Sequence, residues 1–322
     1  MMQRTLKSRI DVVGVGLHTG SRIRMQILPA PANSGIRFER TDLQNGAVDL
    51  KTLILPSNLR GARSASLSRA DHATTLSGPG FTISTVEHLM AAFLGMGVDN
   101  AIVRLSGGEV PIMDGSAAPF VFLLKEAGLR DLGEPRQTIL INRPISVLDG
   151  DREVVVYPSD SFRITYTIDF PHQAIGRQSL SRTINQRTFI HQLAPARTFC
   201  MLKDVQALRE RGLAMGGSLQ NAVVVGDAGP LNPLRFSDEF VRHKALDLVG
   251  DLALLGHPIA GHVVAHKAGH AMHARLLNEI LRQRDAWSLT THVPESAPLA
   301  EAPGSTARRP AASRGLEGIL PA

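Results

Sequence analysis

The run from Phe236 to Pro258 constrains the chain more than any other stretch, because its apolar spacing is that of a helix with sharp ends. Ser237 is predicted as the N-cap, and Asp238 and Glu239 fall in the first turn, where the helix dipole favours anions. Gly256 and Pro258 stop it. Phe236 and Val241 occupy the positions of a hydrophobic staple, and Ala245, Leu248, Val249 and Leu252 supply an apolar stripe. His243, Asp247 and Asp251 recur at every fourth residue and therefore stack along one edge. An imidazole and a carboxylate one turn apart can share a cation. The same spacing also suits an ion pair on a solvated face. Leu246 and Leu248 flank Asp247, and Leu252, Leu254 and Leu255 follow Asp251, so the carboxylates are expected near a core, where unpaired charge is costly. Two ligands do not complete a metal site; a third must come from elsewhere in the chain.

A chain of 322 residues can bury two cores, and with only 4% aromatic residues those cores must rest on aliphatic side chains. Cys200 is the single cysteine, which excludes an internal disulfide and fits a reducing compartment. The charged N-terminus has no apolar run behind it, so no signal peptide is expected. No window approaches the ~20 apolar residues of a membrane span. The expected location is the cytoplasm. The net charge of +6 is spread over scattered Lys and Arg without interleaved aromatics, which argues against nucleic acid and fits a phosphate-bearing substrate or an anionic membrane surface.

Before the helix, residues 10–28 read as apolar segment, glycine loop (Gly14 to Gly20) and strand. The loop is no dinucleotide fingerprint, since a strand rather than a helix follows it. Ile36 to Arg40 alternates as a strand, and residues 56–80 read as a polar loop or small insertion. A second helix is predicted from Ser84 to about Gly95, a strand at Ala101 to Leu105, and a helix capped by Ser116 with Pro119 in its first turn. The polar stretch Arg130 to Gln137 is the expected domain boundary, dividing residues 1–133 from 138–290. In the second half, Arg152 to Tyr157 and Phe162 to Phe170 are predicted as a hairpin. Gly212 to Val225 reads as a core strand or the wall of a groove. His262 to His266 reads as a strand, with a last helix running from His270 to about Trp287. From 294 to 322 the Pro- and Arg-rich composition predicts a disordered tail. Strands followed by helices in each half indicate an α+β chain of two layers side by side.

Two further clusters carry candidate chemistry. Glu87 and His88 are adjacent near a helix start, where an acid can stand beside a metal ligand; a capping box from Ser84 would explain the glutamate equally well. Lys267-Ala-Gly-His270 places a histidine at a strand-to-helix junction, a position for a general acid that Asp251 could orient.

Several motifs occur together and in order: Val13 to Gly20, Thr85-Val-Glu-His-Leu89, Val110 to Phe120, Ala196-Arg-Thr-Phe199, Asp238 to Lys244, Asp247, Gly250-Asp251 and Gly269-His270. Over about residues 3–290 the chain closely resembles the zinc-dependent UDP-3-O-acyl-N-acetylglucosamine deacetylases of lipid A biosynthesis. The resemblance implies two similar α+β domains, each a sheet layered against helices, with the active site between them. It implies Zn2+ held by His88, His243 and Asp247, and Glu87 as general base. It further implies His270 as general acid oriented by Asp251, with Thr198 and Lys244 stabilising the oxyanion. By the same matching, Arg152, Phe170, Phe199, Asp204 and Lys267 would grip the UDP and sugar. Gly217 and Ser218 would fall in an insertion, about 195–230, that forms the passage for the acyl chain. The chain departs from the family at Cys200 and Met201, where glycine and an aromatic are common, and at residues 70–75. A monomer is expected, in contact with its nucleotide-sugar substrate, with no nucleic acid and at most peripheral contact with a membrane. A non-catalytic nucleotide-sugar binding protein of the same fold is the alternative from another functional class.

Overall fold

The computed structural model describes residues 1–44, 46–49, 66–69 and 73–293. The predicted tail from 294, and 50–65 and 70–72 of the segment around the predicted insertion, lie outside the described residues. The first half runs β1 (Met2–Leu6), β2 (Ile10–Val15), β3 (Arg22–Pro29), β4 (Ile36–Arg40), β5 (Gly46–Asp49), β6 (Ser66–Arg69), β7 (Thr75–Gly78) and β8 (Phe81–Ser84). It continues with α1 (Glu87–Met96), β9 (Ala101–Leu105), α2 (Ala118–Ala127) and β10 (Leu129–Pro135). The second half opens with β11 (Thr138–Ile141), β12 (Ile145–Asp149), β13 (Arg152–Tyr157), β14 (Phe162–Asp169), β15 (Arg177–Thr183) and the single turn α3 (Gln186–Thr188). Then come β16 (Phe199–Met201), α4 (Leu202–Glu210), β17 (Val223–Gly226), β18 (Gly229–Pro230), α5 (Glu239–Ala253), β19 (Ile259–His266), α6 (His270–Arg282) and β20 (Trp287–Thr290).

The two halves are the same design used twice. In the first sheet the order is β2-β3-β9-β4-β5, with β9 antiparallel to β3 and parallel to β4. In the second, β19 stands between β13 and β14, antiparallel to the one and parallel to the other, with β12 and β15 outside them. Each central strand is preceded by one helix (α1, α5) and followed by another (α2, α6). This is the expected pair of similar α+β domains. The central strands alternate as sheets facing a helix layer do: Ala101, Val103 and Leu105 are buried in β9, Val263 and Ala265 in β19.

Several local expectations are corrected. The hairpin predicted from Arg152 to Phe170 does not form, because β19, about a hundred residues later, takes the place between its arms. The polar boundary stretch is itself a strand, β10, paired antiparallel with the N-terminal β1. Within residues 66–84, β6, β7 and β8 form a three-stranded meander where a loop was expected. Ser116 stands just before the N-cap of α2, Ala117, although its hydroxyl still accepts the Ala118 N–H at 3.2 Å. The last helix ends at Arg282; Trp287 then opens β20 against β11, and its indole N–H donates to Ile280 O at 2.7 Å.

Helices α1 and α5 cross at close range where Gly250 faces the backbone of Glu87; a Cβ at Gly250 would lie 2.0 Å from the Glu87 carbonyl oxygen. The absent side chain lets two buried helices from different halves meet. Phe240, Val241, Leu248 and Val249 of α5 are all fully buried, each contributing about 1.5–3 kcal/mol of transfer free energy. Among the described residues no helix is long and apolar enough to cross a membrane.

Candidate active site

The helix starts differ from the predicted ones, and the differences free side chains for the site. Ser84 does not cap α1, because it is the last residue of β8. Its N–H donates to Gly108 O, its C=O accepts from Val110 and its hydroxyl takes the Thr75 hydroxyl. The N-cap is Val86, and Glu87 turns inward, 4% exposed, with Oε2 accepting the Thr74 N–H at 3.1 Å. Thr85, at φ 59, sets up that turn, and its hydroxyl is held by the buried carboxylate of Glu109. Ser237 likewise does not cap α5. Glu239, fully buried, accepts instead from the backbone N–H of Arg235 and of Arg197 and from the Arg197 guanidinium. Asp238 is occupied by Arg242, which lies over the Phe236 ring.

That Arg197–Glu239 pair fixes the segment before Thr198, whose neighbour Ala196 accepts a hydrogen bond from His243 Nδ1 at 3.1 Å. Glu239→Ala would strand the Arg197 charge in the core and is expected to cost about 3–5 kcal/mol. Denaturant unfolding measures this, and a loss below about 1 kcal/mol would mean the pair is effectively solvated.

Residues far apart in sequence now converge. His88 from α1 and His243 and Asp247 from α5 are all buried, with one donor atom from each within 4.8 Å of the others. Asp247 Oδ1 is 3.2 Å from His243 Nε2 and 3.6 Å from His88 Nε2, yet it is buried and accepts no hydrogen bond among the described residues. The His88 and His243 rings stand edge to face at 5.0 Å. A buried carboxylate oxygen that faces two imidazoles and accepts no hydrogen bond is unfavourable unless a cation joins them. Burial also pushes the His243 pKa down to about 3, against the pull of Asp247, so its imidazole is neutral as a metal ligand must be. The Ala196 carbonyl takes Nδ1–H and leaves Nε2 for a metal. Burial opposes the charge on Asp247, but His243, Lys244 and His270 hold its pKa well below the carboxylate range. The donor set fits a divalent metal.

Around this triplet stand the other charged groups. Lys244 Nζ is 2.9 Å from Asp247 Oδ2, and His270 Nε2 lies 3.6 Å from the same oxygen and 4.0 Å from Glu87 Oε1. His270 is the first residue of α6, delivered by a loop in which Lys267 has φ 49. Its Nδ1 is 2.8 Å from Asp251 Oδ2. Burial works against protonation of His270, but Asp251 and Asp247 raise its pKa to about 9, so it carries a proton at neutral pH. Burial raises the Glu87 pKa, only partly offset by His270 and His88. The cluster thus sets a carboxylate and a protonated imidazole beside the candidate metal-ligand set, groups able to serve as base and acid.

The remaining predicted residues lie around this centre at different depths. Phe199 packs on Phe170 and Phe240, with Lys244 over its ring at 5.7 Å. Lys267 is paired with Asp151 and Asp169 at the open side. Arg152 and Asp204 are exposed and stand outside the buried cluster. Thr198, Gly217 and Ser218 line a cavity of about 410 Å³ whose wall is mostly apolar, including Leu17, Leu208, Ala222, Val224 and Leu231. Ala214, Gly217, Ser218, Leu219, Ala222 and Val224 of the stretch from Gly212 to Val225 line this cavity, while Val223 and Val225 of β17 pack in the hydrophobic core. Cys200 also lines this cavity. Sequence reasoning missed Thr74, Glu109, Tyr166 and His273, which tie the site together through side chains that no motif singles out.

Fold and site together define a class: two like α+β halves with a candidate metal centre beside a buried carboxylate and a protonated imidazole where they meet, a layout that suits a metal-dependent hydrolase. Comparison with known proteins gives the family. The sequence profile of UDP-3-O-acyl N-acetylglycosamine deacetylase matches residues 3–282, and the chain belongs to that family. It is 45% identical to the UDP-3-O-acyl-N-acetylglucosamine deacetylase of Myxococcus xanthus (strain DK1622), over 89% of this chain and 88% of that protein. The protein of the same name from Methylococcus capsulatus is 45% identical over 90% of this chain and 93% of its own length. That from Geobacter sp. (strain M21) is 43% identical over 92% and 94%.

Proposed function

We propose that this chain is a zinc-dependent hydrolase that removes the N-acetyl group from UDP-3-O-acyl-N-acetylglucosamine, an early step of lipid A biosynthesis. The observation that carries this is the meeting of Glu87 and His88 with His243, Asp247 and His270 in one buried cluster. His88, His243 and Asp247 would hold the metal, a donor set of two imidazoles and a carboxylate that suits Zn2+. When bound, zinc supplies Lewis acidity that polarises an amide carbonyl and makes a water easier to deprotonate. Glu87 then takes the proton from the attacking water, as a new C–O bond forms at the acetyl carbon. Lys244 and the Thr198 hydroxyl stabilise the negative charge that develops on the carbonyl oxygen. His270, held by Asp251, gives its proton from Nε2 to the sugar nitrogen as the C–N bond breaks. The products are acetate and the free amine.

Arg152, Phe170, Phe199, Asp204 and Lys267 would face the nucleotide and sugar. Gly217, Ser218 and the apolar cavity beside them would take the acyl chain, in an insertion spanning about 195–230. Domain limits of 1–133 and 138–290, a cytoplasmic location and a monomeric state complete the proposal; the single, partly buried Cys200 suits that compartment.

Acetate release from UDP-3-O-acyl-N-acetylglucosamine, assayed with a chelator and again after zinc is restored, tests this. Activity lost to the chelator and regained with zinc is the expected result. A folded, zinc-loaded protein that binds the substrate at two acyl lengths but releases no acetate would establish the non-catalytic alternative.

A further inference from the structure

Asp251 has more to do than face His270. Its Oδ2 is met by two imidazoles, His270 Nδ1 at 2.8 Å and His273 Nδ1 at 2.7 Å, and its Oδ1 accepts the Thr74 hydroxyl. His273 lies one turn along α6 from His270 and is fully buried. Its Nε2 is 3.0 Å from the hydroxyl of Tyr166, itself fully buried on β14. The same hydroxyl is 2.8 Å from the carbonyl oxygen of Ala268, in the loop that delivers His270. The rings cross nearly at right angles, Tyr166 to His273 at 88° and His273 to His270 at 76°.

We propose that His273, backed by Tyr166, is a positioning residue for the acid–base pair: it holds the Asp251 carboxylate in the one orientation that presents His270 to the reacting amine. The physical need is clear. A buried carboxylate has more acceptor capacity than one imidazole can fill, and unfilled capacity in a dry core is costly. A side chain that can turn to find donors elsewhere would turn the imidazole with it. Two donors at Oδ2 and one at Oδ1 remove that freedom. His273 can serve because its own ring is clamped: Nδ1–H donates to Asp251, and Nε2 stands 3.0 Å from the hydroxyl of Tyr166, which donates to Ala268 O and is anchored in the sheet beside central β19. Burial lowers the His273 pKa against the pull of Asp251. The chain from sheet to acid is thus Tyr166, His273, Asp251, His270, and only the last of these reaches substrate.

The inference rests on the proposed roles of His270 and Asp251, and the experiment separates the two. Steady-state kcat and KM, bound metal and unfolding midpoint are measured for His273→Ala, His273→Asn, Asp251→Ala and the double variant Asp251→Ala/His273→Ala. Loss of a supporting partner of this kind lowers activity by about 10–100-fold, and the expected result is such a fall in kcat for His273→Ala with KM and metal content near wild type. Asparagine places an N–H where Nδ1–H was, so His273→Asn is expected to recover most of the loss. In the Asp251→Ala background, His273→Ala is expected to cost nothing more, because its effect travels through the carboxylate. A wild-type kcat in His273→Ala, an Asn variant as slow as the Ala variant, or a full further loss in the Asp251→Ala background overturns the positioning role alone. A wild-type kcat in Asp251→Ala overturns both it and the reading on which it rests. If His273→Ala does not fold, Tyr166→Phe, which removes only the hydroxyl, takes its place with the same criteria in both backgrounds.

Discussion

Glu87→Gln is expected to lower the rate of acetate release by about 10²–10⁴-fold, the range general-base catalysis supplies, while the protein keeps its fold and its metal. The substitution is nearly isosteric. A glutamine oxygen can still accept the Thr74 N–H that now bonds Oε2 at 3.1 Å, so α1 keeps its start and His88 its place. What disappears is the carboxylate, 4.0 Å from His270 Nε2. The amide is also neutral, so the variant gives up an attraction to the protonated His270. Measuring kcat alongside bound zinc decides the matter. A variant with full metal and a wild-type rate would remove Glu87 from the reaction.

Gly250→Ala tests the architecture. Alanine is the better helix former by about 1 kcal/mol, so on local grounds α5 should gain from the change. The packed structure predicts the reverse. The new Cβ would lie 2.0 Å from the Glu87 carbonyl oxygen and 2.7 Å from its carbon, and both are backbone atoms that cannot swing aside. The helices must part, at a cost of about 1–3 kcal/mol or more. Because His88 rides on α1 and His243 and Asp247 on α5, separation also spreads the proposed metal ligands. The expected result is a lower unfolding midpoint together with weaker zinc binding, followed by metal titration of the folded variant. A stabilised protein with unchanged zinc affinity would show that the helix contact does not set the ligand geometry.

Much of this was legible from local pattern. The strands at Ile36–Arg40 and Ala101–Leu105 match their alternation, α1 ends at Gly97 in the left-handed conformation, and the four-residue spacing of His243, Asp247 and Asp251 does put all three on one buried edge of α5. Alternation and helical period depend only on backbone geometry and on which side of an element meets water, so neighbouring residues reveal them. The caps failed for a definable reason. Ser84 and Ser237 have the right chemistry, but longer-range partners claimed the positions: strand pairing for Ser84, and the Arg197–Glu239 pair at the start of α5. Glu87, which a capping box would have occupied, is left for the site.

The duplicated architecture was not visible as a repeat, because a sheet needs apolar residues on one face and not the same residues. The third ligand, His88, was placed beside His243 and Asp247 only by resemblance, since nothing in its own neighbourhood points to them. Local sequence was enough to specify which segments are strands and helices and which charged residues share a helix edge, because those depend on contacts a few residues long. Strand order, the entry of β19 between β13 and β14, and the union of α1, α5 and α6 around one buried His–Asp cluster were decided by tertiary packing. There the burial of two aliphatic cores outweighs the cost of burying a His–Asp cluster, and no stretch of residues carries that balance alone.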